Sequence, residues 1–147
     1  MAVFAFARAI VEGTEIALYD GGRLKRDFTY IDDIVAGVVG CLDHPPGGDW
    51  SGGDCPGGAA TPGDPPARVL NIGNNRAEEV SSLLALLEQA LGRKAVVRSV
   101  PRPATDVAET YADVSAIAAL TGFQPSTPLS EGIPRFVAWF RGWNAAG

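Results

Sequence analysis

Proton transfer at a hydroxyl group calls for a tyrosine whose phenol is made more acidic by a lysine four positions on. The three tyrosines are Tyr19, Tyr30 and Tyr111, and the residues at that spacing are Arg23, Ile34 and Ser115. A nicotinamide cofactor needs a glycine-rich turn between a strand and a helix, so that backbone N–H groups can approach its pyrophosphate. Neither GxGxxG nor GxxGxxG occurs, and Gly37-Val-Val-Gly40 lies inside a helical pattern where close packing explains it. Asp32 and Asp33 resemble a catalytic carboxylate pair, but their place ahead of an apolar periodic run reads as helix capping. His44 is the single histidine, which excludes a multi-histidine metal site; it reads as a helix-terminal residue facing the negative end of the dipole. Cys41 and Cys55 form no CxxC, so a reduced, cytoplasmic chain is the expectation. With no nucleophile elbow or P-loop either, the residues do not compose a complete enzyme.

What remains for recognition is arginine. The net charge of −5 argues against a general nucleic-acid surface, so an anionic ligand must be met by a few local cations. Lys25 and Lys94 are the only lysines among 12 basic residues. That bias suits bidentate contacts to phosphate or carboxylate, although a GC-rich coding sequence would produce it too. The apolar start MAVFAFARAIVEG carries Arg8 and Glu12, and reads as an amphipathic helix rather than a signal peptide or membrane span.

The elements that must position these groups alternate between strand and helix, which predicts an α/β or α+β class. Residues 1–12 place Val3, Phe6, Ala7, Ile10 and Val11 on one helical face, closed by Gly13. Ile16–Tyr19 reads as a strand turned by Asp20-Gly21-Gly22, and Arg26–Ile31 as a second strand. A helix started by Asp32 or Asp33 runs to Leu42, and Pro45-Pro46 stops it. Residues 44–67 are a Pro/Gly-rich stretch without periodicity, expected to be a flexible loop inside one unit of residues 1–147. Val69–Ile72 reads as a strand, and Asn75 with Glu78 has capping-box form. The following stripe of Val80, Leu83, Leu84, Leu87 and Leu91 predicts a helix ended by Gly92. Lys94–Val100 is a third strand candidate. Asp113 caps a short helix to Leu120, and Thr127-Pro128 opens a last helix facing inward through Leu129, Ile133, Phe136, Val137 and Phe140.

Several segments, in order, resemble the extended short-chain dehydrogenase/reductase family, and within it the UDP-glucuronate 4-epimerases. They are Arg26-Asp-Phe-Thr-Tyr-Ile-Asp-Asp-Ile34, Asp49-Trp-Ser51, Val69-Leu-Asn-Ile-Gly-Asn-Asn75, Asp106-Val with Thr110-Tyr-Ala-Asp113, Gly122-Phe-Gln-Pro-Ser-Thr127, Glu131-Gly, and Phe136-Val-Ala-Trp-Phe-Arg141. The resemblance covers nearly the whole chain. It implies an α/β C-terminal, substrate-binding portion of such an epimerase, without the N-terminal Rossmann half that holds NAD, and therefore no cofactor held by this chain alone.

The resemblance also implies site residues. The backbone of Ala17 and Tyr19 would meet a uracil edge, Arg26 the diphosphate, and Asp106 the ribose hydroxyls. Pro103 stands three positions before Asp106, where the family carries a basic or amide residue, so Arg102 would serve through a one-residue shift. Read without the family, Arg26 is a surface strand arginine and Asp106 a turn cap. The implied partners are a UDP-sugar and the N-terminal NAD-binding half, with self-association as a homodimer in its absence, and neither nucleic acid nor membrane. A nucleotide-sugar dehydratase or decarboxylase fragment, a non-catalytic nucleotide-binding or assembly module, and an inert truncated product are the competing readings. The sugar itself is not specified by these residues.

Overall fold

A computed structural model describes residues 2–45 and 68–145. The Pro/Gly-rich stretch from residue 46 to 67, with Asp49-Trp-Ser51 and Cys55, lies outside the described residues. The elements run α1 (Ala2–Glu12), β1 (Glu15–Tyr19), a 3-10 turn (Asp20–Gly22), β2 (Lys25–Asp27), α2 (Ile31–Leu42), β3 (Ala77–Glu79), α3 (Val80–Leu91), β4 (Val96–Val100), α4 (Ser115–Thr121) and α5 (Leu129–Ala145). The class is mixed α/β, as expected.

β1 and β4 pair in parallel, Ala17 opposite Arg98 and Tyr19 opposite Val100. β1 buries Ile16 and Leu18 and exposes Ala17 and Tyr19, the period-2 pattern of a half-covered strand. The main core forms where that inner face meets α1, α3 and α5. Ile10, Leu83, Leu87 and Phe140 are almost fully buried there. Burying each such side chain contributes roughly 1.5–3 kcal/mol, so this cluster dominates the fold's stability. Phe4 of α1 meets Phe140 edge-on at 5.4 Å between centroids, which locks the two helices together. Gly13 and Gly92 take left-handed φ values of 71° and 72° at the ends of α1 and α3, where a side chain would be strained.

A smaller cluster holds α2 against α4. Ile117 and Phe123 pack there with Cys41, Leu70 and Ile72. The Gly37 and Gly40 pair is close packing, as read from the sequence: a Cβ on Gly37 would stand 3.1 Å from Ile72, and one on Gly40 3.2 Å from Thr121.

Four expectations need correction. β2 is only Lys25–Asp27, because Phe28–Tyr30 leave the strand to enter α2. Val69–Ile72 is not a strand; among the described residues it has no ladder partner, and its Leu70 and Ile72 are held by packing instead. The Asn75–Glu78 capping box does not form. Ala77–Glu79 is β3, paired antiparallel with β2 so that Arg26 faces Glu78, and α3 starts directly after Glu79 without a side-chain cap. Asp32 and Asp33 do not cap α2 either, since Tyr30 occupies the N-cap. Asp33 is buried and binds the loop before α5.

α3 spends its apolar surface internally, burying Leu83, Leu84, Leu87 and Leu91. α2 does not. Ile31, Val35, Val38, Val39 and Leu42 recur at helical spacing along one side and are more than half exposed, Leu42 at 74%. Among the described residues no helix is long and apolar enough to cross a membrane.

Candidate functional site

Three of the five residues singled out from the sequence meet at one point. Arg26 projects from the middle of β2, and Asp106 sits in the turn after β4, where its N–H donates to the Pro103 carbonyl at 3.0 Å. Arg26 Nη2 lies 2.6 Å from Asp106 Oδ1, with the two side chains only 25% and 35% exposed. Arg26 Nη1 also donates to the Lys25 carbonyl at 2.8 Å, which fixes the plane of the guanidinium. Arg102 Nη1 donates to the backbone carbonyl of Asp106, and its Nε lies 3.8 Å from Asp20 Oδ2. The shift from Pro103 to Arg102 therefore still delivers a guanidinium to the Asp106 turn.

Tyr19 adjoins this cluster through the neighbouring Asp20, and Ala17 lies two residues back along β1. Tyr19 directly precedes Asp20, the residue that Arg102 approaches, and is 42% exposed. β1 uses one edge for β4, and its other edge has no strand partner among the described residues. An extended backbone with an unpaired edge can hydrogen-bond a planar heterocycle as it would another strand. The site is thus a backbone edge leading to two guanidiniums and two carboxylates.

Two residues that hold the site were missed. Asp20 read only as a turn former, yet it meets Arg102 twice, the second time through the Arg102 backbone N–H at 3.4 Å. Asp27 accepts the backbone N–H groups of Asn74, Asn75 and Ala112 at 2.9, 3.1 and 3.0 Å. It thereby ties the strand bearing Arg26 to two loops far along the chain. Its adjacency to Arg26 was visible, but a contact across 47 or 85 positions leaves no local pattern. Gly73 is required beside it, because a Cβ would sit 2.4 Å from Ala112 and 2.8 Å from Asp27.

Grooves of about 530 and 300 Å³ lie elsewhere, one between Asn74–Arg76 and Phe123–Ser126, the other around Asp27 and Tyr111. Neither is lined by Arg26, Arg102 or Asp106. No group of three or more metal-ligating side chains occurs among the described residues. Nor do they offer a phosphate-binding glycine turn between strand and helix, as β3 runs into α3 through Glu79.

Residues 1–52 match the NAD dependent epimerase/dehydratase family. Along nearly its full length the chain is 37% identical to a probable UDP-glucuronate 4-epimerase of Rhizobium meliloti, covering 95% of this chain and 41% of that protein. It is 38% identical to UDP-glucuronate 4-epimerase 2 of Arabidopsis thaliana, over 100% of this chain and 33% of that one. Its similarity is thus to members of the NAD dependent epimerase/dehydratase family, by the family match at its start and by these relatives over nearly its whole length. The solved structure of MoeE5 in complex with UDP-glucuronic acid and NAD, 25% identical, superposes with a TM-score of 0.75 over 96% of this chain and 41% of that one. The fold is shared by UDP-glucuronic acid 4-epimerase from Bacillus cereus in complex with NAD, at a TM-score of 0.65 and 24% identity, covering 91% of this chain and 35% of that chain. The chain therefore spans a third to about two fifths of these epimerase-family relatives, and its architecture is part of the extended short-chain dehydrogenase/reductase fold.

Proposed function

We propose that this chain forms the nucleotide-diphosphate side of a UDP-sugar site of the UDP-glucuronate 4-epimerase kind, supplying position and no redox chemistry. The observation that carries it is the convergence of Arg26, Arg102 and Asp106 beside the open edge of β1. A planar guanidinium fork suits phosphate oxygens, a carboxylate suits ribose hydroxyls, and a free backbone edge suits uracil. The ligands of the similar MoeE5 complex, UDP-glucuronic acid and NAD, support the class of substrate. The residues described do not fit NAD: they offer neither the glycine turn nor a tyrosine–lysine pair. We assign no step through it to this chain. We also propose residues 1–147 as a single substrate-binding unit, acting with a nucleotide-binding half.

Titration of the chain with UDP, followed by chemical shifts, tests this reading on the parent and on Arg26→Ala. Loss of one charge-assisted phosphate contact lowers affinity about ten- to a hundred-fold. Equal affinities would remove Arg26 from the site. The parent affinity should itself be modest, because loops must be ordered on binding and only one wall of the cleft is supplied.

The exposed stripe on α2 is the face for a protein partner. Five Val, Ile and Leu side chains at least half exposed line one side of a single helix, and a contiguous apolar patch of that kind marks an interaction surface. The stripe is purely apolar and one helix long, which fits a self-complementary antiparallel contact with a second copy.

A further inference from the structure

We propose that Asp106 is a built-in competitor for Arg26, making the site select phosphates that arrive together with hydroxyl donors and reject bare inorganic anions. The inference rests on the reading of Arg26 as the phosphate ligand.

The cluster is balanced in charge. Arg26 and Arg102 are matched by Asp106 and Asp20, with Asp106 Oδ1 at 2.6 Å from Arg26 and Asp20 Oδ2 at 3.8 Å from Arg102. The neighbouring charges are also engaged. Lys25 lies 3.6 Å from Glu109, and Glu78, opposite Arg26 in the ladder, lies 3.6 Å from Arg76. An anion approaching Arg26 thus meets a guanidinium already paired, and the position it needs on Nη2 is held by a carboxylate. To bind, it must displace that carboxylate.

Displacement leaves Asp106 beside the new anion. Two like charges with partial burial repel, and inorganic diphosphate has nothing to offer the displaced carboxylate. A nucleoside diphosphate has. Its ribose carries two hydroxyl donors at a fixed distance from its phosphates, and Asp106 Oδ2 accepts from no donor among the described residues. The ligand then takes the guanidinium and returns hydrogen bonds to the carboxylate. Arg102 holds the backbone carbonyl of Asp106, so the carboxylate stays near the site when Arg26 lets go. Sites built around a polar group that expects a partner discriminate strongly against analogues that lack it.

The test uses the full chain, with UDP, 2′,3′-dideoxyuridine diphosphate and inorganic diphosphate as probes in calorimetry. The parent is expected to bind UDP at least about ten-fold more tightly than either other probe. In Asp106→Asn, diphosphate binding should strengthen about ten-fold, and the preference for UDP over the dideoxy compound should shrink, since the amide keeps one acceptor oxygen in place of two. Asp106→Ala provides a second variant, and circular dichroism with thermal melting verifies that each is folded. Equal affinity of the parent for UDP and its dideoxy analogue overturns the proposal without needing any variant. So does a folded Asp106→Asn with unchanged diphosphate affinity, provided Arg26→Ala still weakens UDP. If Arg26→Ala leaves UDP binding intact, the phosphate reading fails first and this inference falls with it.

Discussion

Asp33, in the first turn of α2, accepts the backbone N–H of Thr127 at 3.0 Å across 94 positions of sequence. Ser126 adds its N–H at 3.3 Å and its hydroxyl at 3.2 Å to the other carboxylate oxygen. Burial opposes ionisation of this group, but the hydrogen bonds from Thr127 and Ser126 outweigh it and lower its pKa. A helix start and the entrance to α5 are thereby joined by one ionised side chain.

The pH dependence follows from that depressed pKa. In the folded state Asp33 releases its proton at lower pH than in the unfolded chain, so its stabilisation is fully present above the unfolded value of about 4. It is lost as pH falls through the lower folded value. Asp33→Asn turns an acceptor toward N–H donors with its own NH2, and should cost about 1–3 kcal/mol at neutral pH. Urea denaturation near pH 7 and again near pH 3 should show the gap between parent and variant narrowing in acid. A gap that stays constant would show that the charge is not what binds the loop.

Gly73 offers a second stability test. A methyl group there would collide with Ala112 and with the Asp27 carboxylate, and Asp27 holds three backbone N–H groups. Gly73→Ala should destabilise by about 1–3 kcal/mol. Gly142→Ala, in α5 with nothing within 4 Å of the added Cβ, should instead stabilise by about 0.5–1 kcal/mol. Denaturation midpoints moving in the same direction would contradict the assignment.

The α2 stripe predicts self-association. Sedimentation velocity of the parent at high concentration should show a dimer, and Val38→Glu, at the centre of the stripe, should return it to monomer without loss of helix content. A monomeric parent would remove the second copy as the occupant of this face.

Calorimetry with NAD should give no binding to the chain alone, because β3 enters α3 without a phosphate-cradling turn. Micromolar affinity would contradict that expectation.

Legibility tracked the range of the interaction. Sequence alone determined the helices with strong apolar stripes, their glycine ends, and the close-packed Gly37, because helical periodicity and left-handed caps are set by residues within a turn or two of each other. It also pointed to Arg26, Arg102 and Asp106 as residues of interest. Tertiary structure decided what local pattern could not. Ala77–Glu79 has the composition of a helix start and becomes a strand because β2 offers it a ladder. Val69–Ile72 has the composition of a strand and forms none, since a strand exists only with a partner edge. Asp27 and Asp33 look like surface carboxylates or caps until chain reversal brings distant backbone N–H groups to them. The pairing of Arg26 with Asp106 is of the same kind: each charge was visible in sequence, and only folding across 80 positions determined that they neutralise one another.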